Sequence, residues 1–352
     1  MNTKKVSPGM MTLSTLLALG MGALHYTPIT LTLSLAFMVT PVAICLLYAW
    51  CGPVPAIVCA VSSMAALNVG YGLPVLLAGV VTMILPAVLA LFLLHRRTSY
   101  FRSMQIMGVA QLAAILSVVA AIFFTQGKSL VDLVMEAVEE MTYALSPALQ
   151  DVLLAQFSLT GMVDSEIYAL YAKGEAISEQ MRASGLYQML DNMGYSFRLT
   201  LPSLAITSSM LTGILVVALP TMVCVRRGDE PAYPHVPLHE WFIPARSTAG
   251  MVCALVTCLI LGYLDVSGAD AAITAISSLV YMFFTLQGLA SFSRAFRARG
   301  WGRGKRILIL TLFTLLFVDG VRFVGFLSAL LGRQGIITLW LKRKNEQKDK
   351  ED

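Results

Sequence analysis

The chain has 352 residues, of which 57% are hydrophobic and 13% charged, and its mean hydropathy is +0.75. Soluble domains are about half apolar and about a quarter charged, so this composition excludes an ordinary soluble protein. The net charge is +5, but the bases lie at the ends of hydrophobic runs, which argues against a nucleic-acid-binding surface. The six cysteines lie in or beside apolar runs without a CxxC pair, so we expect neither a disulfide framework nor a zinc site.

Apolar runs of about 17 to 25 residues recur along the chain, which is the length that crosses a roughly 30 Å hydrocarbon layer as a helix. A helix satisfies its backbone hydrogen bonds internally, as lipid requires. We therefore predict an all-α, polytopic membrane protein with about nine to ten transmembrane helices. The predicted spans are residues 10–24, 29–50, 53–69, 73–94, 104–124, 199–225, 247–264 and 271–292, followed by a longer apolar run at 307–341.

A long polar segment divides the predicted chain. Residues 1–124 form an N-terminal bundle of about five helices, residues 125–197 the polar segment, and residues 198–341 a C-terminal bundle of four to five helices. Residues 342–352 are a charged tail, and the two bundles are expected to make one membrane domain. The N-terminus resembles a signal peptide, but its apolar run continues to Leu24, which favours a retained first helix.

Basic loops identify the predicted cytoplasmic side, because cytoplasmic loops carry an excess of Lys and Arg. The loops at residues 95–102, 226–246 and 294–306 are strongly basic, and all three lie inside if the N-terminus is cytoplasmic. The four tryptophans fall at the inner ends of predicted helices, where interfacial rings tend to lie. We therefore expect a multi-pass protein of the bacterial inner (cytoplasmic) membrane with segment 125–197 outside.

The last apolar run, residues 307–341, is too long for one span and short for two. Asp319-Gly320 lies near its middle and is a common turn dipeptide. We predict a tight hairpin here, which gives ten helices and a cytoplasmic tail, and nine spans with an interfacial helix is the alternative. Asp319 and Arg322 are three residues apart, so they can pair on one helical face, which lowers the cost of placing charge near the bilayer.

The polar segment 125–197 contains ten of the twenty acidic residues and three bases. Apolar residues recur at helical spacing in 130–141, and residues 147–157 and 178–189 are further predicted helices. One interpretation is an acidic helical cap that attracts cations above an outward-facing cavity. The other is a surface that is acidic only because bases are depleted outside the membrane.

Small residues form a stripe on the first predicted helix. Ser14, Ala18 and Gly22 recur every four residues, a spacing that lets another helix approach closely. The stripe predicts either packing inside the same bundle or docking to a separate membrane subunit.

Polar residues gather at the predicted outer ends of the first helices. His25 and Tyr26 follow helix one, and Asn68 and Tyr71 lie at the end of helix three. These four residues are candidates for binding a small solute in an outward-facing pocket, because such pockets combine apolar walls with a few polar groups. The alternative is an ordinary polar cap on the helix ends.

Signatures of catalysis are absent from the sequence, including HExxH, GxSxG, the Walker P-loop and a dinucleotide-binding GxGxxG turn. His235 and His239 have the spacing of metal ligands on a helix, but Pro237 between them argues against a helix. We therefore predict a protein that is not an enzyme and has no catalytic residues, no metal site and no cofactor.

One region of the sequence carries a family resemblance. Residues 199–228 contain a proline early in a hydrophobic helix and end in two arginines, and a loop of the form P-x-x-x-W-x-x-P follows with Pro237, Trp241 and Pro244. Together with the order of helices and polar segment, this resembles the YybS-like family of uncharacterised bacterial membrane proteins. That family is more distantly similar to S components of energy-coupling-factor transporters, which implies an outward pocket and a helix-one stripe that meets a coupling subunit.

The sequence leaves two functions open. The first is a transport-related protein that binds a small solute from outside, with the bilayer and other membrane subunits as partners. The second is a scaffold or regulator of the cell envelope without transport activity, whose acidic segment and basic loops are partner surfaces.

Overall fold

The computed structural model describes residues 8–331 except 24, 26–29, 97 and 230–233, with the backbone alone at 23, 30–36 and 245. Every regular element in this part of the chain is a helix. Six of these helices are long and apolar enough to cross a membrane, or up to seven if a bent pair near the end counts as one span. The prediction of an all-α, polytopic membrane protein is therefore confirmed. The predicted count of nine to ten spans also included the first two helices and the run beyond residue 331.

The helices of the first half begin and end within a few residues of the predicted spans. They are α1 (Pro8–Ala23), α2 (Thr30–Cys51), α3 (Pro53–Tyr71), α4 (Leu73–Gly79), a π-helical turn (Val80–Ile84), α5 (Leu85–Leu94) and α6 (Tyr100–Gln126). The agreement follows from hydropathy, because each span is bounded by polar or turn-forming residues.

Two glycines separate α2, α3 and α4. Gly52 has φ 92° and Gly72 has φ 80°, in the left-handed region that residues with a Cβ rarely adopt. Pro53 and Pro74 follow them in the first turn of the next helix, where a missing N–H costs nothing. At each of these points the glycine ends one helix, and the helix that contains the proline starts within two residues.

The helices of the second half include one that the sequence did not predict, α9, and one that is longer than predicted, α10. They are α7 (Leu130–Tyr143), α8 (Pro147–Leu159), α9 (Ser165–Lys173), α10 (Glu179–Arg227), α11 (Ala245–Tyr263), α12 (Ala269–Ala298), α13 (Arg303–Leu316) and α14 (Val318–Leu330). A 3₁₀ turn, Leu238–Glu240, lies between α10 and α11.

Helix α10 corrects one prediction. Residues 178–189 and 199–225 were predicted as separate helices, but they belong to one helix of 49 residues. The polar residues between them, from Asp191 to Arg198, lower the hydropathy without interrupting the backbone hydrogen bonds. Gly194, in this stretch, costs only about 1 kcal/mol in a helix interior, which is too little to end a helix.

The chain forms two compact units. Residues 8–115 and 205–331 belong to the larger unit, and Leu116–Leu204 is the smaller unit. The core of the larger unit includes Cys45, Cys59, Met107 and Val217. The core of the smaller unit contains Leu154, Val163, Ile167, Ile177, Leu186 and Met189. The predicted polar segment 125–197 lies inside the smaller unit, so this segment has a hydrophobic core of its own.

An ion pair ties two helices of the smaller unit together. The guanidinium of Arg182 on α10 donates two hydrogen bonds, of 2.6 and 2.9 Å, to the carboxylate of Asp151 on α8. The side chains are only 17% and 20% exposed, so solvent screens the pair less than an ordinary surface pair. Paired bonds of this geometry also fix the relative orientation of the two helices.

Replacing Asp151 by asparagine is expected to loosen α8 against α10. The half-buried Arg182 guanidinium loses its counter-charge, which costs about 1–3 kcal/mol. Hydrogen–deuterium exchange of α8 peptides should become faster. Asp191→Asn removes the same charge from an exposed position of α10 and should leave the exchange unchanged. Equal exchange in both variants would contradict a structural role for the pair.

The predicted hairpin turn at Asp319-Gly320 is wrong. The helix breaks at Phe317, whose φ is −137° and ψ 44°, and the axes of α13 and α14 differ by 107° across it. Asp319 and Gly320 lie in the first turn of α14. An aspartate is favourable there because the helix N-terminus carries a partial positive charge. This interaction outweighs the tendency of the Asp-Gly dipeptide to form a turn.

Candidate ligand-binding cavity

A cavity of about 460 Å³ opens in the larger unit between α6, α10, α11, α12 and the loop 234–244. Ligand pockets commonly have volumes of 300–1,000 Å³ and mostly apolar walls. The wall here is formed mainly by aromatic, methionine, isoleucine and leucine side chains, with glutamine and serine as the polar groups. Representative residues of the five segments are Phe101, Met210, Met251, Leu286, Gln287 and Trp241.

Two prolines shape the loop that forms one wall of the cavity. Pro237 precedes the 3₁₀ turn Leu238–Glu240 with ψ 149°, and Pro244 precedes α11 with φ −59° and ψ 144°. Proline fixes φ near −65° and disfavours helix in the residue before it, so the chain stays extended at both points. Trp241 lies between them and lines the cavity.

Helix α12 holds this loop through two side chains. The Gln287 Oε1 atom accepts a hydrogen bond of 2.9 Å from the backbone N–H of Ile243. The Arg294 guanidinium donates to the carbonyl oxygens of His239, at 3.0 Å, and Trp241, at 3.2 Å. Gln287 and Arg294 are seven residues apart, or about two turns, so they lie on the same face of α12.

The same glutamine connects the loop to α14. Its Nε2 atom donates to the Ser328 hydroxyl at 3.2 Å, and the hydroxyls of Ser291 and Ser328 are 2.7 Å apart. Gln287 is 1% exposed, and an unpaired amide in such a place would be costly. The amide is instead bonded at both its oxygen and its nitrogen, so this wall of the cavity is fixed by a buried polar network.

The Trp241 ring is also fixed in place. Its indole N–H donates a 2.9 Å hydrogen bond to the carbonyl oxygen of Val236. The ring meets Tyr100 and Phe101 edge-on, with centroid distances of 6.3 and 6.0 Å. Aromatic contacts of this geometry stabilise a pair beyond the area they bury.

Positive charge lies beside His239, two residues before Trp241 in the same loop. The Nε2 atom of His239 contacts a guanidinium nitrogen of Arg297 and lies 3.4 Å from the carboxylate of Glu240. Burial lowers the pKa of His239, and the guanidinium groups of Arg297, Arg306 and Arg294 lower it further, while Glu240 raises it. The imidazole is therefore held neutral beside these arginines.

The described residues of the predicted outer pocket are not part of this cavity. His25 is fully buried, with Nδ1 3.2 Å from the Met21 carbonyl oxygen and Nε2 3.1 Å from the Thr40 hydroxyl. Both of its ring nitrogens thus have partners within the bundle. Tyr26 lies outside the described residues.

Asn68 and Tyr71 lie at the end of α3 and are exposed. Asn68 lines a shallow, apolar groove of about 510 Å³ together with Val61, Leu76 and Val80. His25 does not line this groove. The structure therefore does not gather the predicted pocket residues around one cavity, and their role in binding stays a prediction.

The predicted stripe on α1 faces α3 of the same chain. Ser14 and Ala18 are 2% and 0% exposed, and the Ser62 hydroxyl donates a 3.2 Å hydrogen bond to the Ala18 carbonyl oxygen. A Cβ atom on Gly22 would lie 2.6 Å from the Ser62 Cβ atom. Of the two predicted roles, packing inside the bundle is the one that these contacts describe.

Asp319 and Arg322 form an ion pair with an N–O distance of 2.7 Å. The Arg322 guanidinium also lies 5.0 Å from the centre of the Tyr281 ring, at cation–π distance. The Asp319 side chain is 86% exposed, so this pair is not buried within the protein.

Sequence analysis missed Gln287, Ser291 and Ser328, which fix the wall of the cavity. The sequence did contain a signal for them, because all three are polar residues within otherwise apolar helices. Polar side chains inside a membrane need hydrogen-bond partners within the protein. Within the described ranges, no three His, Cys, Asp or Glu side chains come together as metal ligands. The expectation of no metal and no cofactor stays a prediction.

Comparison with known proteins places the chain in a family. Residues 14–328 match the family model described as "Predicted membrane protein (DUF2232)". The chain belongs to the DUF2232 family. No curated protein sequence and no solved structure matches it significantly. The resemblance to YybS-like proteins is consistent with this family, whereas the more distant similarity to transporter S components stays a hypothesis.

Proposed function

We propose that this DUF2232 protein is a non-enzymatic, multi-pass protein of the bacterial cytoplasmic membrane that binds a small, largely apolar molecule. The observation that carries the proposal is the 460 Å³ cavity with its fixed Trp241 loop. Apolar walls with few polar groups suit a hydrophobic ligand that makes one or two hydrogen bonds. Binding such a molecule fits a transport-related role, in which other membrane subunits are partners.

The proposed site differs from the outward-facing pocket expected from the sequence. With a cytoplasmic N-terminus, the positive-inside pattern assigns the loop 234–244 and the start of α6 to the inner side of the membrane. The ligand would then enter from the inner leaflet or the cytoplasm.

A substitution that fills the cavity with a larger side chain tests this proposal. The full-length protein is purified in native membrane nanodiscs and extracted with organic solvent, and its bound small molecules are identified by mass spectrometry. We expect a molecule that is retained by the wild type and reduced by about tenfold in Leu286→Trp, since an added indole ring occupies the cavity.

Leu312→Trp provides the matched control, because Leu312 on α13 is 51% exposed and does not line the cavity. It should retain the molecule at the wild-type level. The proposal is wrong if the extracted molecules are the same for all three proteins while Leu286→Trp remains folded.

A scaffold function is the second candidate, and the smaller unit favours it. Its core is small, its acidic residues are mostly exposed, and Tyr187 and Tyr195 are 72% and 58% exposed. Exposed aromatic side chains are common where proteins bind one another. Cross-linking from Tyr187 to an envelope protein, combined with an empty cavity, would favour this second function over the first.

A further inference from the structure

We propose that the cavity ligand is an anionic lipid whose phosphate-bearing head lies at Arg297 and Arg306 and whose hydrocarbon chain lies in the cavity. This inference rests on the proposed function and names the class of its ligand. It depends on the placement of an apolar wall and a cluster of arginines along one short loop.

The loop 234–244 carries both chemistries. Its Trp241–Pro244 part lines the apolar cavity, and His239, two residues earlier, contacts Arg297. A molecule that follows the loop from Trp241 to His239 therefore passes from apolar surroundings to a positively charged rim. Only an amphiphile with an anionic end matches both.

Among the described residues, basic side chains outnumber acidic ones at this rim. Residues 234–246 and 294–306 contain seven Lys and Arg residues and one acid, Glu240. Among the residues that the structure describes, no carboxylate lies within 4.0 Å of the side-chain nitrogens of Arg297 or Arg306. Phosphate accepts charge-assisted hydrogen bonds from guanidinium groups, so it is the natural counter-charge.

Arg306 supplies a second, independent observation. Its Nε atom is buried and has no hydrogen-bond partner. A buried guanidinium N–H without an acceptor is costly, and native structures rarely leave one. The charge of Arg306 also lowers the pKa of His239, so we assign this unused donor to the same rim as Arg297.

The predicted topology is consistent with an anionic lipid. The basic loops lie on the predicted cytoplasmic side, and basic pockets between helices on that side commonly bind anionic lipid heads. The Trp301 ring, which stacks on Phe296 with centroids 4.5 Å apart, lies in the loop between α12 and α13. Tryptophan is typical of the level of the lipid head groups.

Native mass spectrometry of the full-length protein tests the inference. The probes are dioleoylphosphatidylglycerol and dioleoylphosphatidylcholine, which have the same chains but differ in net charge, and sodium phosphate, which has no chain. We expect the phosphatidylglycerol to bind at least about tenfold more tightly than the phosphatidylcholine, since the arginines form charge-assisted bonds to an anionic head.

Two variants separate a specific site from general attraction. Arg306→Gln removes the unused donor and should weaken phosphatidylglycerol binding by about tenfold. Arg303→Gln removes the same charge from an exposed position one turn earlier in α13. Because the head is assigned to Arg297 and Arg306, this control should change binding much less. The Arg306 Nε atom has no hydrogen-bond partner that Arg306→Gln could remove, so the melting temperature of this variant without lipid should equal that of the control. Leu286→Trp should weaken binding as well, because the chain is excluded.

Several outcomes would overturn the inference. Equal weakening by Arg306→Gln and Arg303→Gln would indicate general electrostatic attraction, and equal affinity for the two lipids would exclude an anionic head. Displacement by sodium phosphate with no effect of Leu286→Trp would identify a free anion.

An uncharged molecule extracted from the cavity would end the lipid assignment but leave the proposed function intact. An empty cavity together with normal lipid binding to Leu286→Trp would reject both.

Discussion

Gly325→Ala is expected to destabilise the larger unit by about 2–3 kcal/mol, the upper part of the range of about 1–3 kcal/mol for overpacking. A Cβ atom at position 325 would overlap the carbonyl oxygen of Phe284 and lie 2.8 Å from the amide nitrogen of Gly288. Backbone atoms cannot rotate away as a flexible side chain can, so α12 and α14 must separate. Their separation also stretches the hydrogen bond between Gln287 and Ser328.

The expected result is a lower melting temperature and a smaller monodisperse peak in size-exclusion chromatography. Gly320→Ala is the matched control in the same helix, because the nearest atom to its added Cβ would be 3.9 Å away, at ordinary contact distance. Alanine is favoured over glycine in a helix by about 1 kcal/mol, so this control should be neutral or slightly stabilised. If the two variants are equally stable, α12 and α14 do not cross as closely as described.

Gly22→Leu is expected to remove most folded protein from the membrane fraction. The added side chain enters the space of Ser62, whose Cβ atom would lie 2.6 Å from the new Cβ atom and whose hydroxyl bonds to the Ala18 carbonyl oxygen. Because the contact involves α1 and α3 of one chain, the substitution acts on folding. Overpacking of this kind costs about 1–3 kcal/mol, and a leucine adds more bulk than a single methyl group.

Gly20→Leu provides the control for this experiment. It is two residues away on α1, and no atom lies within 4 Å of the position of its Cβ atom. The two variants are compared by the yield of monodisperse protein. A Gly22→Leu protein that folds normally and loses only a co-purifying membrane subunit would contradict packing inside the bundle and restore docking to a partner.

Hydropathy predicted the helices well because each transmembrane span has to be apolar along its length and polar at its ends. The same signal could not predict the break at Phe317, which lies inside an apolar run and differs in conformation rather than in hydropathy. Hydropathy also predicted two helices where α10 is one, because polar residues lower the hydropathy of a segment even when the helix continues through it.

The cavity was beyond sequence analysis because five separate segments form it. The family-like loop with Pro237, Trp241 and Pro244 drew attention to the right region, but the pattern alone does not show what the loop packs against. Gln287 is a single polar residue in α12, and its partners come from the loop and from α14. His25, by contrast, was conspicuous in sequence, although its hydrogen bonds are made inside the bundle.

The bend at Phe317 affects how α13 and α14 can lie in a membrane. Helices of 14 and 13 residues are about 21 and 20 Å long, each shorter than the roughly 30 Å hydrocarbon layer. With axes 107° apart, their lengths do not add along one direction. A pair that enters the layer and turns back returns the chain to its starting side, as a complete hairpin does. Both arrangements would therefore place Leu331 on the same side of the membrane as Arg303.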